Sequence, residues 1–323
     1  MSISRRTVLQ TAVSLAAPAI ISSSWAQDKF PSKPITLIAP WPAGGSSDAV
    51  MRALAESAGR ALGGTIIVEN KPGVGGTLGA TAMMTAKPDG YTLTQLPLGI
   101  YRLPHMQKMA FDPVKDITHI VGLTGYTFGL AATADAPYKT LKEMVAYAKA
   151  NPGKVSYGHT GTGTTPHLAI EEFAGKAGID IVDVPYKGSA ELIQSILGGH
   201  ITLMSGTTEF APHVKSGKLR LLATLGRERN KAFADVPTVK ESGWDTITES
   251  PFGIGGPKNM DPNLVKILHD AFKKTLDDPK VQETLDKFYQ PTIYMNTADY
   301  TAYAARTFAS ERKTIERLGM LAK

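Results

Sequence analysis

From Pro34 onward, short apolar runs rich in β-branched residues alternate with longer segments of helical period, and several junctions between them are glycine-rich. This alternation restricts the chain to the α/β class with mainly parallel sheets, because a parallel strand pair needs a crossover long enough to hold a helix. Strands are predicted at 35–39, 65–69, 91–96, 117–123, 155–157, 181–184, 201–204 and 219–224. Thr140 and Glu143 form a capping box opening a helix that stops near Asn151-Pro152-Gly153, and Ser46, Ser47 and Asp48 are placed to cap the helix after the first strand. The last third is predicted helical over about 261–287 and again over 297–321. A length of 323 residues suits two domains. No Gly/Ser or proline linker separates them, so the chain is expected to cross between them more than once, near residues 130 and 250. The expected division is 27–130 plus 251–323 for one domain and 131–250 for the other, with the C-terminal helices on the first.

There is no cysteine, which removes disulfides, thiolate metal sites, iron–sulfur clusters and cysteine nucleophiles together. The net charge of +6 is mild for this length, and basic residues are interleaved with acids, as in Arg227-Glu228-Arg229, so no nucleic-acid partner is expected. Residues 1–26 carry two arginines and no acid, an apolar stretch from about Val8 to Ile21, and Ser24-Trp25-Ala26 as a small-x-small cleavage site. They read as a removable export signal. Arg5-Arg6 lies close to the twin-arginine pattern, with the ordinary secretory route as the alternative. An exported, cysteine-free protein of this size fits a bacterial periplasm.

Three glycine-rich strand-to-helix turns are the candidates for function. Pro40-Trp41-Pro42-Ala43-Gly44-Gly45-Ser46-Ser47-Asp48 follows the first strand, and its free N–H groups at a helix start favour an anion. Gly158-His159-Thr160-Gly161-Thr162-Gly163-Thr164-Thr165-Pro166-His167 offers four hydroxyls and three free glycine amides, an uncharged cradle for a carboxylate or phosphate. Each serves equally well as an ordinary tight turn. Asn70-Lys71-Pro72-Gly73-Val74-Gly75-Gly76-Thr77-Leu78-Gly79 misses a dinucleotide fingerprint, because Leu78 stands where the third glycine belongs. It reads instead as a loop at the mouth of a cleft. The spacing of His159 and His167 fits no helix-face metal pair and no carboxylate accompanies them, so no metal and no cofactor are expected. No nucleophile elbow, zinc-protease helix or phosphate-binding lysine loop occurs, which favours binding over turnover.

Several of these segments, with Pro88-Asp89-Gly90-Tyr91-Thr92-Leu93, Val184-Pro185-Tyr186-Lys187-Gly188 and Asp235-Val236-Pro237-Thr238, resemble the tripartite tricarboxylate transporter substrate-binding proteins, or Bug family, in order and spacing along the chain after residue 26. The resemblance implies a periplasmic-binding-protein (Venus flytrap) fold that closes on a small carboxylate and delivers it to membrane permease subunits, with a monomer as the default. It also implies that Ala43, Gly44, Gly45 and Ser46 on one side, and Gly161, Thr162, Gly163, Thr164 and Thr165 on the other, grip one ligand carboxylate, with His159 beside them. At the far end, Trp41 stands where phenylalanine is common, and Tyr101-Arg102 replaces a smaller, neutral stretch. No aspartate occurs at Ser205-Gly206-Thr207-Thr208, which argues against an amino-acid ligand. Arg102 is therefore expected to meet a second carboxylate, with Trp41, Tyr101 or Phe128 flanking the ligand body, as an aromatic dicarboxylate such as a phthalate would require. A carboxylate sensor and a periplasmic hydrolase or isomerase are the alternatives.

Overall fold

The computed structural model describes residues 30–322, so the export signal read at 1–26 lies outside the described residues. In chain order the strands are β1 (Ile35–Ala39), β2 (Ile66–Asn70), β3 (Thr92–Leu96), β4 (Ile117–Tyr126), β5 (Phe128–Thr133), β6 (Ser156–His159), β7 (Val182–Pro185), β8 (Leu203–Thr207), β9 (Leu219–Thr224), β10 (Ser250–Pro257) and β11 (Thr292–Met295). The helices are α1 (Ser46–Leu62), α2 (Leu78–Met83), α3 (Gly99–Met106), α4 (Leu141–Ala150), α5 (Thr165–Ala177), α6 (Ser189–Leu197), α7 (Ala211–Lys215), α8 (Pro262–Lys274), α9 (Pro279–Lys287) and α10 (Thr297–Arg317).

These elements build two α/β lobes, one on each sheet. The first sheet has the order β11-β4-β10-β3-β1-β2 and the second β7-β6-β8-β5-β9. Pairing is parallel where helices carry the chain across, at β1 with β2 and β3, and at β6 with β7 and β8. It is antiparallel around β10 and β5, the strands inserted next to the crossings between lobes. Only Thr127 separates β4 of one sheet from β5 of the other, and the chain returns at β10, where Ser250 pairs with Tyr126. On the first sheet, Ile35 and Leu37 of β1 pack with Val50, Met51 and Leu54 of α1 and Phe272 of α8. On the second, Leu130, Leu203 and Tyr157 pack with Ile170 and Phe173 of α5. Burial of these apolar surfaces is the main favourable term holding each lobe. No helix among the described residues is long and apolar enough to cross a membrane.

Two helix starts differ in how they are capped. Thr140 caps α4 as expected, accepting the Glu143 N–H at 3.2 Å. At α1 the cap differs from expectation: Gly45 is the N-cap and makes no side-chain bond, while Ser46 and Ser47 lie inside the helix. Asp48 instead reaches back to accept the N–H of Gly44 at 3.0 Å. A glycine N-cap leaves the helix end uncovered by its own side chain, and therefore open to another acceptor.

Candidate functional site

The C-terminal ends of β1 and β6 face the same cleft, and each runs through a glycine-rich turn into a helix, α1 and α5 respectively. Residues at both helix starts, Gly45, Ser46, Ser47, Thr164 and Thr165, line one pocket between the lobes. The first N–H groups of a helix have no partner within it, and the helix dipoles add positive potential, so both helix starts favour an anion without any cationic side chain, and at α1 the Ser46 N–H already donates to Glu209 Oε1 at 3.0 Å. Among the described lining residues none is Lys, Arg or His, and Glu209 alone carries a charge. The lobes stand close: a Cβ on Gly188 would lie 3.0 Å from Pro42 Cγ, and one on Gly75 would lie 3.3 Å from the Thr162 carbonyl oxygen.

The turn after β1 is braced from below. Asn70 at the end of β2 donates through Nδ2 to the Trp41 carbonyl at 3.0 Å and to Asp48 Oδ1 at 2.8 Å, and Arg52 donates to both Asp48 and Asn70. Burial works to raise the Asp48 carboxyl, but hydrogen bonds from Arg52, Gly44 N–H and Asn70 outweigh it and hold the group below the usual carboxylate range. The Gly44 amide, expected to meet ligand, is thus committed to Asp48, and Gly44 does not line the pocket. Trp41, Ala43, Gly45 and Ser46 do line it. Trp41 Nε1 is buried close to the Tyr126 hydroxyl, without a hydrogen bond of good geometry among the described residues. On the pocket floor the Tyr126 hydroxyl pairs with Ser47 Oγ at 2.9 Å and accepts from Gln95 Nε2 at 2.8 Å. Burial pushes the Tyr126 phenol up to about 12, so it stays protonated at neutral pH.

The turn after β6 differs from expectation in its amides. Gly161 N–H donates to His159 Nδ1 and Gly163 N–H to His167 Nδ1, each at 3.1 Å, so two of the three supposedly free glycine amides are taken by imidazoles. His159 is a brace under the loop: its side chain is fully buried, and its Nε2 lies 2.5 Å from Asp183 Oδ1 of β7. His167 Nε2 lies 3.9 Å from Asp183 Oδ2. The expectation that no carboxylate accompanies the two histidines is corrected here: Asp183 is remote in sequence, and the neighbouring strand β7 brings it to both. Because both Nδ1 atoms accept backbone N–H bonds, both Nε2 atoms carry the hydrogen, the reverse of what ligation through Nε2 needs. Burial lowers the pKa of both rings against the pull of Asp183, that of His167 to about 4, and keeps them neutral. Thr164 and Thr165 line the pocket, Gly161 and Thr162 line an adjoining groove with Gly75 and Leu103, and Gly163 lines neither.

Tyr101 and Arg102 lie away from the pocket wall. Tyr101 is fully buried in the first lobe, stacked on His119 at 6.0 Å. Arg102 donates through Nε to Glu311 of α10 at 2.6 Å, with both side chains largely buried, and through Nη1 to the Gly163 carbonyl at 3.3 Å and Thr165 Oγ1 at 3.4 Å. Its charge is neutralised inside the protein, so the second-carboxylate role expected of it has no geometric support. Phe128, expected beside the ligand body, lines the pocket, as does Tyr126. Sequence reasoning missed Glu209, Tyr126 and Ser250. Glu209 directly follows the stretch read as lacking an aspartate, and the step from strand β8 into a short 3-10 turn at Thr208–Phe210 is what carries it to the pocket.

The family model described as tripartite tricarboxylate transporter family receptor matches residues 50–320. The UPF0065 protein in gbd 5'region of Cupriavidus necator is 50% identical over 293 residues, spanning 91% of this chain and 90% of its own. The structure of the periplasmic binding protein BugD superposes with a TM-score of 0.86 at 29% identity, covering 91% of this chain and all of that one. A protein of R. palustris solved with adipate gives 0.84 at 25% identity, covering 90% and 98% of the two chains. MatC from Rhodopseudomonas palustris with bound malate gives 0.82 at 26% identity, covering 88% and 100%.

Proposed function

Because the chain belongs to the tripartite tricarboxylate transporter receptor family, we propose that it captures a small carboxylate between its lobes and delivers it to the permease subunits of a tripartite-type transporter. It is a Bug-type periplasmic solute-binding protein, and its family and structural neighbours are binding proteins, not enzymes. The observation that carries the carboxylate is that two helix starts, α1 and α5, open on one pocket with no basic side chain among its described lining residues, and that the Ser46 N–H of α1 already holds a carboxylate, that of Glu209. Such a pocket holds an anion through backbone N–H groups, hydroxyls and dipoles. Adipate and malate, carried by two structural neighbours, are both small carboxylates and support the class.

In this reading Thr165 at the start of α5 faces the carboxylate, Gly45 and Ser46 form the opposite wall, and Tyr126 and Phe128 pack on the carbon skeleton, aliphatic or aromatic. Export through residues 1–26 would place the protein where such solutes arrive. Ligand bridging the two lobes stabilises the closed arrangement by its differential contacts. The test is a thermal-shift screen against mono-, di- and tricarboxylates, aliphatic and aromatic, with amino acids and sugars as controls. A ligand at a hundredfold excess over Kd adds about 2.7 kcal/mol to native stability. Shifts confined to carboxylates are the expected result; sugars shifting the protein while every carboxylate leaves it unmoved would refute the proposal.

A further inference from the structure

We infer that Glu209 sets the ligand class of this pocket: a carboxylate whose other end carries a hydrogen-bond donor, a hydroxyl or an ammonium, in place of a second carboxylate. The inference rests on the carboxylate reading above and narrows it. Two helix starts open on the pocket, but they are not equally available. At α1 the protein supplies its own anion: Glu209 Oε1 accepts the Ser46 N–H at 3.0 Å, across the cleft from the other lobe. Glu209 Oε2 accepts the Thr207 hydroxyl at 2.5 Å, and Thr207 Oγ1 is 3.1 Å from Ser189 Oγ, so the carboxylate is held in place from its own side as well. The start of α5 has no internal acid among the pocket's described lining residues; Thr164 gives its N–H and hydroxyl to the Gly161 carbonyl, and the N–H of Thr165, the first helical residue, is the donor that remains. An incoming carboxylate therefore seats at α5, and the remainder of the ligand meets Glu209.

What Glu209 accepts follows from charge and lone pairs. Each of its oxygens has one bond and room for another, and an ionised carboxylate has acceptor capacity only. No lining cation offsets it, so a second ligand carboxylate would face a like charge in a closed pocket, while a hydroxyl or ammonium would complete a charge-assisted hydrogen bond. Discrimination of this kind works mainly by rejecting the wrong partner. Arg102, the cation that could have reversed the preference, is held by Glu311.

The experiment is calorimetric titration of the full chain and of Glu209→Gln with two matched series: butyrate, 4-hydroxybutyrate, 4-aminobutyrate and succinate, and hexanoate, 6-hydroxyhexanoate, 6-aminohexanoate and adipate. The amide oxygen of Glu209→Gln still accepts from the Ser46 N–H, so the variant retains the local fold, and its melting temperature checks that. In at least one series the wild-type chain should bind the hydroxy or amino acid at least about tenfold more tightly than both the parent acid and the diacid. Glu209→Gln should erase that margin and improve the diacid. Diacids binding the wild-type chain as tightly as the hydroxy and amino acids, or a margin unchanged in Glu209→Gln, would overturn the inference and leave carboxylate capture standing. Failure of every acid in both series to bind either protein, beside a sugar that does bind, would remove the carboxylate reading and this inference with it.

Discussion

His119 stands on β4 with its ring stacked on Tyr101, edge-on to Tyr300 at 5.5 Å, and with a buried Nε2 that has no partner among the described residues. Burial alone lowers its pKa to about 4 from an ordinary value of 6.5, so the native state holds the ring neutral. The stability this represents is fully present above pH 6.5, where both folded and unfolded rings are neutral. It is lost as pH falls through the window down to about 4, because the unfolded chain takes up the proton first. Replacing His119 with Phe keeps an apolar ring in the stack and removes the titration. Urea unfolding at pH 7 and near pH 4 should therefore show the wild type losing on the order of 3 kcal/mol more than His119→Phe. Equal losses would mean that the ring finds a proton acceptor in the fold. His159 and His167 belong to the same chemistry, with a difference in consequence: their neutral Nδ1 atoms hold the Gly161 and Gly163 amides, so a proton there would unpick the loop itself.

Arg102 acts between elements. It ties α3 to α10 through Glu311 and reaches over to the turn that opens α5, so its removal strands a largely buried carboxylate and frees a loop. Arg102→Ala is expected to cost about 3–5 kcal/mol in chemical denaturation, most of it from the unpaired Glu311. Adding Glu311→Gln should restore much of the loss, and the single variant should weaken mono- and dicarboxylates alike. A loss confined to dicarboxylates would return Arg102 to the ligand. The sequence misled here because an arginine beside a tyrosine near a cleft carries no mark of its partner 209 residues away. The same holds for elements: β1, β3 and β9 were legible from apolar, β-branched runs, whereas β5, β10 and β11 were not. Ser250–Pro257 carries no strand signal in the sequence because it holds three glycines and two prolines, yet Gly253 is needed in mid-sheet, where a Cβ would come within 2.0 Å of the Val121 carbonyl oxygen. Packing against β4 and β3, not local preference, makes that segment a strand. The two glycine-rich turns were legible as strand-to-helix turns, because glycine before a helical run marks such a junction, but an ordinary tight turn has the same residue types. Which of their amides remain free depended on His159, His167 and Asp48, and only the folded turns reveal those bonds.

At the scale of the molecule, affinity depends on how closely the lobes meet. Gly188 has φ of 172°, an extended conformation open to any residue, and only Pro42 of the opposite lobe crowds the space beside its Cα. Gly188→Ala should therefore leave the melting temperature of the ligand-free protein nearly unchanged, yet weaken ligand binding several-fold by holding the cleft ajar. Unaltered affinity would show that Pro42 moves aside freely. All of the second sheet lies between Thr127 and Ser250, whereas β10, which sits between β4 and β3 in the first, is made after it. On a chain emerging from its N-terminus, the lobe that begins later is the one that can finish earlier. The older half of the first sheet must wait, with a seam open between β3 and β4, until residues 250–257 arrive to close it.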